Sequence, residues 1–473
     1  MVPAPRSLRL AAISLLVACA VALLSGCTGT PTPDENLARR DLKSAAAKYR
    51  PAQARPPLPA LDENSKLPDL IQFALLNNPA VEAAYQDWAA AVEEITTARS
   101  LPDPMLTFGA EISRDGANLS AALGTDPMNN WPGPGKLPLR AEAAYGASLK
   151  YRAVFERELL ATALAVKRAW FQRWVLEEKI RRTREIIALL DEMESLARAR
   201  LAVGKATQQD VLRAQMERDQ LRTDLAGLED SRAPLVARLR SGLGLAASDP
   251  LPDLVPREMP SESATFTEQS LLDTAFARNP QLKAMRAEVV QAMALYDLAR
   301  KNTVPDYAFG VGVSGGMNPV AVLPMFGVTL PVWRDKIAAE VAKGRADLGA
   351  AQARLSAEQL DLAVRFAETA YAWREADRSV ALHGRLQLPK ARAALDAARE
   401  GYVSGAAGFR DLLDAERDVL EHHLRHAEAL GEREMVLAEM SLVVLGQWPE
   451  NVEPVLPESE GQTGTAENAR GKQ

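Results

Sequence analysis

The sequence predicts a mainly α fold with a small β part, built from two copies of one long helical hairpin. The first sign is a repeat. Leu201-Ala-Val-Gly204-Lys-Ala-Thr-Gln-Gln-Asp210-Val-Leu212-Arg-Ala214 returns as Tyr402-Val-Ser-Gly405-Ala-Ala-Gly-Phe-Arg-Asp411-Leu-Leu413-Asp-Ala415, with Gly, Asp, Leu and Ala matched 201 residues apart. The second is periodicity: Leu176, Ile180, Thr183, Ile187 and Leu190 alternate spacings of four and three, as do Leu221, Leu225, Leu228, Arg232, Leu235 and Leu239. That is the pattern of helices packed side by side. The third is a pair of short patches in which apolar residues alternate with small or polar ones, the mark of strands.

Composition narrows the function classes. The chain has 473 residues and a net charge of −6, with Lys and Arg interleaved among Asp and Glu. That argues against a nucleic-acid binder or a polybasic membrane-surface protein. Its two cysteines, Cys19 and Cys27, both fall in the first thirty residues. A structural disulfide or a cysteine-based metal site in the body is therefore excluded.

At the N-terminus, Arg6 and Arg9 precede an apolar run from Leu10 to Leu24, followed by Ser25-Gly26-Cys27. The run is too short for a spanning helix and fits a signal peptide over 1–26. Its Leu-Ser-Gly-Cys ending resembles the bacterial lipoprotein cleavage signal, in which Cys27 becomes the acylated first residue. Thr28, standing where an Asp would favour inner-membrane retention, directs the chain to the outer membrane. Residues 27–66, rich in Pro, Ala and charge, read as an extended tether.

The duplication sets the rest. Asn78-Pro79 matches Asn279-Pro280 and Phe108-Gly109 matches Phe309-Gly310, at the same offset of 201. The units are 67–248 and 266–447, joined by a Pro-rich linker over 249–265 and followed by a polar, disordered tail over 448–473. Each unit begins with a helix of some 35 residues (Leu67 to Ser100, Phe266 to Asn302), continues through an extended patch, and ends in the hairpin. Gly204 and Gly405 mark the hairpin tips, since glycine ends a helix in the left-handed region. Pro389 predicts a kink in the second hairpin. From Arg140 to Leu201 a continuous helix reaches ~90 Å at 1.5 Å per residue. No globular core is that thick, so the helices form a rod or a tube wall.

In the extended patches, Leu106, Phe108, Ala110 and Ile112 share one side, as do Tyr307, Phe309, Val311 and Val313. Val322 to Trp333 supplies a fourth strand; the partner of the first lies within 119–131. Four strands cannot close a barrel, and open edges cannot sit in lipid. Either several chains pool them across a membrane, or they are soluble hairpins capping a coiled-coil rod.

No constellation carries catalysis. Ser, His and Asp do not recur in a nucleophile arrangement, and Gly310-Val-Gly312-Val-Ser-Gly315 matches a phosphate fingerprint by spacing alone. His422 and His426 share a helical face at i, i+4, read here as a solvated face. No active site, cofactor or metal site is predicted.

Taken in order, the anchor, the tandem unit, the paired strand patches and the Gly-tipped helices resemble the TolC-type outer-membrane efflux factors, over Leu67 to Gly446. Asn78-Pro79, Asn279-Pro280, Pro102-Asp103-Pro104 and Trp131-Pro-Gly-Pro-Gly-Lys136-Leu137 are most similar to its heavy-metal branch. The resemblance implies a homotrimer in which pooled strands form one transmembrane β-barrel and the helices an α-barrel tunnel in the periplasm. It implies a passive export duct, served by a periplasmic adaptor and an inner-membrane transporter, with metal cations the cargo its branch favours. The competing reading is a periplasmic adaptor or structural coiled-coil lipoprotein. The resemblance also places the tips at the periplasmic entrance, with Tyr402 as a constricting residue and Asp411 and Asp414 as acidic rings. Asp210 takes the equivalent slot in the first unit. Ala407, where the founding member has an Arg, and Gln209, where it has a Thr, imply a different latch.

If Cys27 is the anchor, Cys27→Ala abolishes incorporation of labelled fatty acid. A mature wild-type protein that starts elsewhere and takes up no label contradicts the assignment.

Overall fold

The computed structural model describes residues 30–113, 116–125, 130–257, 259, 268–316 and 320–456. The signal peptide and Cys27 lie outside them. Thr32 starts the first helix, its Oγ1 accepting from the Glu35 amide at 3.1 Å, and α1 runs Pro33–Tyr49. The tether expected over 27–66 is thus helical through much of its length. Its composition resembles a linker, but Ala38, Leu42, Ala45 and Tyr49 recur at 4-3-4 spacing and pack on the main core. An apolar stripe, even one made largely of Ala, outweighs linker-like composition.

The helix expected from Leu67 to Ser100 is two helices, α2 (Leu67–Asn77) and α3 (Pro79–Arg99). Asn78 divides them: its Oδ1 accepts from the Ala80 amide at 2.9 Å, while Pro79 has no amide to continue the previous helix. After β1 (Pro104–Ser113) and β2 (Gly116–Thr125) come α4 (Lys136–Ala202), α5 (Gln208–Asp230) and α6 (Arg232–Leu243). The second half repeats this order. It has α7 (Glu268–Arg278), α8 (Pro280–Arg300), β3 (Tyr307–Gly316), β4 (Ala321–Val328) and α9 (Arg334–Val380). A π-helical segment, Ala381–Gln387, leads into α10 (Leu388–Ser404), and α11 (Phe409–Glu439) ends in a second π turn, Met440–Val444. Pro389 therefore does not stop its helix. The wider π turns before it absorb the missing amide and the clash with the Arg385 carbonyl.

The strands form one antiparallel meander, β1-β2-β3-β4. Leu106 pairs with Leu123, Leu123 with Val311, and Val311 with Pro324, which fixes the register across all four. β2 starts at Gly116, ahead of the expected window, and β4 ends at Val328, short of Trp333.

The main core surrounds the first part of α4. Tyr49, Tyr85, Trp88 and Phe155 meet there with ring centroids 5.0–6.4 Å apart. The linker contributes buried Leu254, and the C-terminal segment contributes Val452 and Val455. The tail expected to be disordered from 448 is ordered to 456, with Trp448 Nε1 donating to the Val452 carbonyl at 3.1 Å. Its apolar residues are few, but they land on a preformed surface.

Each half closes on its own Asn-Pro junction. Asn77 Nδ2 donates to the Leu243 carbonyl (2.9 Å) and Asn78 Nδ2 to the Gly242 carbonyl (3.0 Å). Asn279 Nδ2 donates to the Val443 and Val444 carbonyls (3.0 and 3.1 Å). These carbonyls end a helix and have no partner within it. Gly244 and Gly446, at φ +70° and +63°, turn the chain away against the junction. Gly446 stands 202 residues after Gly244, not 201; the extra residue is taken up by the π turn Met440–Val444.

A Cβ at Gly244 would lie 2.7 Å from the Asn78 Cα, whereas one at Gly204 would meet nothing within 4 Å. Gly204→Ala is expected to cost about 1 kcal/mol, for the left-handed backbone alone. Gly244→Ala is expected to cost roughly 2–4 kcal/mol, since backbone must also move. Thermal unfolding of the two variants checks the difference; equal losses would mean that the junction is not tightly packed.

Candidate functional site

Two regions concentrate features that a packed core does not explain: the sheet and the hairpin tips. On one face of the sheet stand Leu106, Phe108, Ala110 and Ile112, then Leu119, Ala121 and Leu123. Tyr307, Phe309, Val311 and Val313, then Val322, Pro324, Phe326 and Val328, complete that face. It carries no charged side chain, yet Phe108 is 78% and Ile112 83% exposed. The opposite face carries Thr107, Glu111, Asn118, Ser120 and Ser314 among glycines, with Met105, Leu323 and Met325 as its large apolar residues. β1 and β4 have no neighbour on their outer edges. An apolar face of this extent on an open sheet marks a surface that lipid or another chain covers.

At the base of the sheet, Trp131 and Tyr307 exchange backbone hydrogen bonds at 2.8 and 2.9 Å. The rings of Trp131 and Phe326 lie 5.5 and 5.3 Å from that of Phe309. Asp306 fastens this aromatic group to the helices, accepting from the Gly133 amide and from Lys136 Nζ, both at 2.7 Å. Among the described residues, no helix is long and apolar enough to cross a membrane.

The tips lie at the far end of the hairpins. Gly204 and Gly405 have φ of +70° and +87°, and the Lys205 and Ala406 amides return to the Arg200 and Gly401 carbonyls at 2.8 Å. Asp210 caps α5: its Oδ2 accepts from the Thr207 amide (2.9 Å) and hydroxyl (2.8 Å). Asp411 does the same for α11, accepting from the Gly408 amide at 2.9 Å. Both carboxylates thus serve the helix start, and Asp411 remains exposed. Asp414, also exposed, has Arg410 Nε at 3.6 Å and Arg417 Nη1 at 3.8 Å. These neighbouring cations were not anticipated, and they dilute its charge.

Tyr402 is not on the tip surface, where its expected constricting role requires it. It is 4% exposed, packed with Phe409 (centroids 5.3 Å), Leu412, Leu413 and Val211 in a cluster that joins the two tips. Arg200 covers it. The guanidinium lies 4.6 Å from the ring centroid, and Nη1 donates to the Tyr402 carbonyl and to that of Val403 (2.8 Å). Arg200 from the first tip thus holds the backbone of the second, within one chain and independently of Ala407. Its signal in the sequence is an asymmetry: position 200 is Arg, whereas its repeat equivalent is Gly401.

One acid was missed altogether. Glu416 on α11 is 1% exposed, and neither carboxylate oxygen has a partner. Burial, and secondarily the charge of Glu217, push its carboxyl up to about 8. Glu217 itself accepts from Arg417 Nε at 2.9 Å. Among the described residues, no three His, Cys, Asp or Glu side chains stand gathered to hold a metal ion.

With this geometry in view, the comparisons are consistent. A sequence model of the outer membrane efflux protein family matches residues 70–245 and 271–443. The cobalt-zinc-cadmium resistance protein CzcC of Cupriavidus metallidurans is 22% identical over 425 residues, covering 85% of this chain and 93% of its own. The outer membrane protein VceC of Vibrio cholerae superposes with a TM-score of 0.67 at 18% identity, over 80% of this chain and 96% of that one. CusC, whose structures concern folding and transmembrane channel formation, superposes with a TM-score of 0.67 at 16% identity, over 83% and 98%.

Glu416 gives a pH prediction. Its neutral form is compatible with burial, so its contribution is fully present below about 4.5 and is lost as pH rises through about 8. Glu416→Gln is expected to flatten that slope and to stabilise the protein at pH 8 by roughly 1–3 kcal/mol. Unfolding midpoints measured from pH 5 to 8 check this; identical slopes in wild type and variant would contradict it.

Proposed function

The chain belongs to the outer membrane efflux protein family, and from that premise we propose that it works as a homotrimeric duct. Three copies of the four-stranded sheet join edge to edge, β4 of one chain beside β1 of the next, into a transmembrane barrel. The six long hairpins continue as a tunnel in the periplasm, closed towards its tips. The observation that carries this reading is the sheet: one wholly apolar face, one face where small and polar residues predominate beside Met105, Leu323 and Met325, and two unpaired edges. In lipid every edge must be satisfied, and closure by copies of the same chain does so.

Energy for transport would come from an inner-membrane transporter, handed on through a periplasmic adaptor; the duct itself catalyses nothing. Acylation at Cys27 would add a lipid anchor in the outer membrane. The resemblance to the cobalt-zinc-cadmium resistance protein supports metal cations as cargo. At the entrance, exposed Asp411 and Asp414 would set three copies of each carboxylate about one axis, with Asp210 on the first tip of each chain. Such rings concentrate cations. Arg200, laid across Tyr402, supports a tip held shut by contacts within each chain.

Trimer mass in detergent and single-channel recording test the reading together. Replacing both Asp411 and Asp414 by Ala is expected to lower cation preference and weaken block by multivalent cations. The difference should shrink at 1 M salt, where the screening length is about 3 Å. Unaltered selectivity with the trimer intact would remove these residues from the pore. A membrane-embedded particle behaving as a monomer would remove the duct.

A further inference from the structure

The buried acid Glu416 stands where the fold calls for an apolar residue. Leu413, Glu416 and Leu420 follow at spacings of three and four along α11, and all are buried. Both leucines belong to the cluster that joins the two tips, with Leu190 of α4, Val211 of α5 and Tyr402 of α10. The first half treats the same position differently. Its equivalent, 201 residues earlier, is Gln215, a neutral amide whose Nε2 donates to Glu194 Oε1 at 2.7 Å. In the second half the side chain is an acid, and neither of its oxygens has a partner.

The charged groups on the elements around it are committed to one another. Asp191 and Glu194 of α4 hold Arg218 of α5, and Glu192 lies 3.8 Å from Arg399 of α10. Glu217 of α5 accepts from Nε of Arg417, the residue after Glu416, at 2.9 Å. Asp414 shares Arg417 at 3.8 Å and has Arg410 at 3.6 Å. Tyr402 contributes no charge, since burial pushes its hydroxyl up from the ordinary range. Past Leu420 the helix meets the π-helical segment, where His422 and His426, expected on a solvated face, are half-buried. Once ionised, Glu416 is a buried charge without a partner, and such a charge is strongly destabilising.

We propose that Glu416 is a proton-controlled latch of the hairpin tips: neutral, it lets the tip cluster close; ionised, it opens that cluster while the core around Phe155 stays closed. Relief for the ionised carboxylate is contact with water, and the tips offer it at least cost. Their cluster is small, separate from the main core and at the end of long arms, where local opening is easiest. Burial first, and the charge of Glu217 second, push the carboxyl up to about 8 in the closed tip, against 4.5 when it is free in water. Opening therefore releases one proton between those limits. The opening equilibrium rises about tenfold per pH unit from about 5 to 7 and levels off above about 8. Acid sets the latch and alkali loosens it. The latch belongs to a single chain and does not rest on the duct reading.

The test follows amide hydrogen exchange along the full-length protein in detergent, from about pH 5 to 9, in wild type and in Glu416→Gln. Comparing the two at equal pH removes the intrinsic pH dependence of exchange. Around both tips, exchange in wild type relative to the variant is expected to rise about tenfold per pH unit from about 5 to 7, then flatten. Around Phe155 and Trp88 the ratio should stay constant. Glu416→Leu, which has no hydrogen-bonding group, should behave as Glu416→Gln and gives an independent reading should the amide disturb the seam. The same pH dependence at the tips in wild type and both variants would overturn the proposal. So would a rise in wild type that reaches the Phe155 core to the same degree. Trimer mass and conductance are measured separately, so failure here leaves the duct reading as it stands.

Discussion

A helix of 67 residues is about 100 Å long at 1.5 Å per residue, and no single core encloses it. Lys136–Ala202 is the element every other part must accommodate. Along its length it changes partners, lying against α3 and α8 first, then α6 and α11, then α5. Its buried positions consequently fall on several sides in turn, from Ala141 through Phe155 and Ile180 to Ala197. The hydrophobic core is divided as a result. One cluster gathers around Phe155 and Trp88, and another at the tips around Leu190, Tyr402 and Phe409. A small cluster at the end of long arms is the kind of region that opens without global unfolding.

The same division explains what the sequence could and could not reveal. Period is local, so the hairpins were legible: Leu176, Ile180, Thr183 and Leu190 are all buried. Ile187 gives way to Ile186 because a straight helix drifts from a strict 3.5-residue repeat. Helix breaks at Asn78 and Asn279 were present as Asn-Pro pairs, but their purpose depends on carbonyls some 165 residues away. The packing of Pro33–Tyr49 and of residues 448–456 depends on a surface contributed by other segments, which composition does not describe. Tyr402 and Arg200 form a pair across the two repeats, and a resemblance carried over position by position does not reveal such pairs. Cys27 lies beyond the described residues, and its acylation remains a proposal.

The sheet and the helices divide the work between two solvents. Below the aromatic group of Trp131, Phe309 and Phe326, the core is built by apolar side chains turned towards other helices, while Leu360, Val364 and Tyr371 of α9 stand exposed. Above it, apolar side chains turn outward, with Phe108 and Ile112 bare. Lys136 and Asp306 mark the level at which the pattern inverts: Lys136 is 5% exposed, yet fully paired to Asp306 at 2.7 Å. A buried cation at such a boundary fixes the depth of the sheet relative to the helices more sharply than apolar contacts do. Removing Asp306 would leave the Lys136 charge buried alone.

The two halves share a plan but are not interchangeable. Among the described residues, π-helical turns occur only in the second half, at Ala381–Gln387 and Met440–Val444. Arg200 of the first tip is answered by Gly401 in the second. In a ring of three such chains the hairpins alternate in kind around the circumference, so the outer wall offers two families of grooves. Any helical partner that docks between hairpins therefore meets three seats of one sort and three of another. Six copies of such a partner would bind in two classes, distinguishable by affinity or by crosslinking pattern, even though every copy has the same sequence.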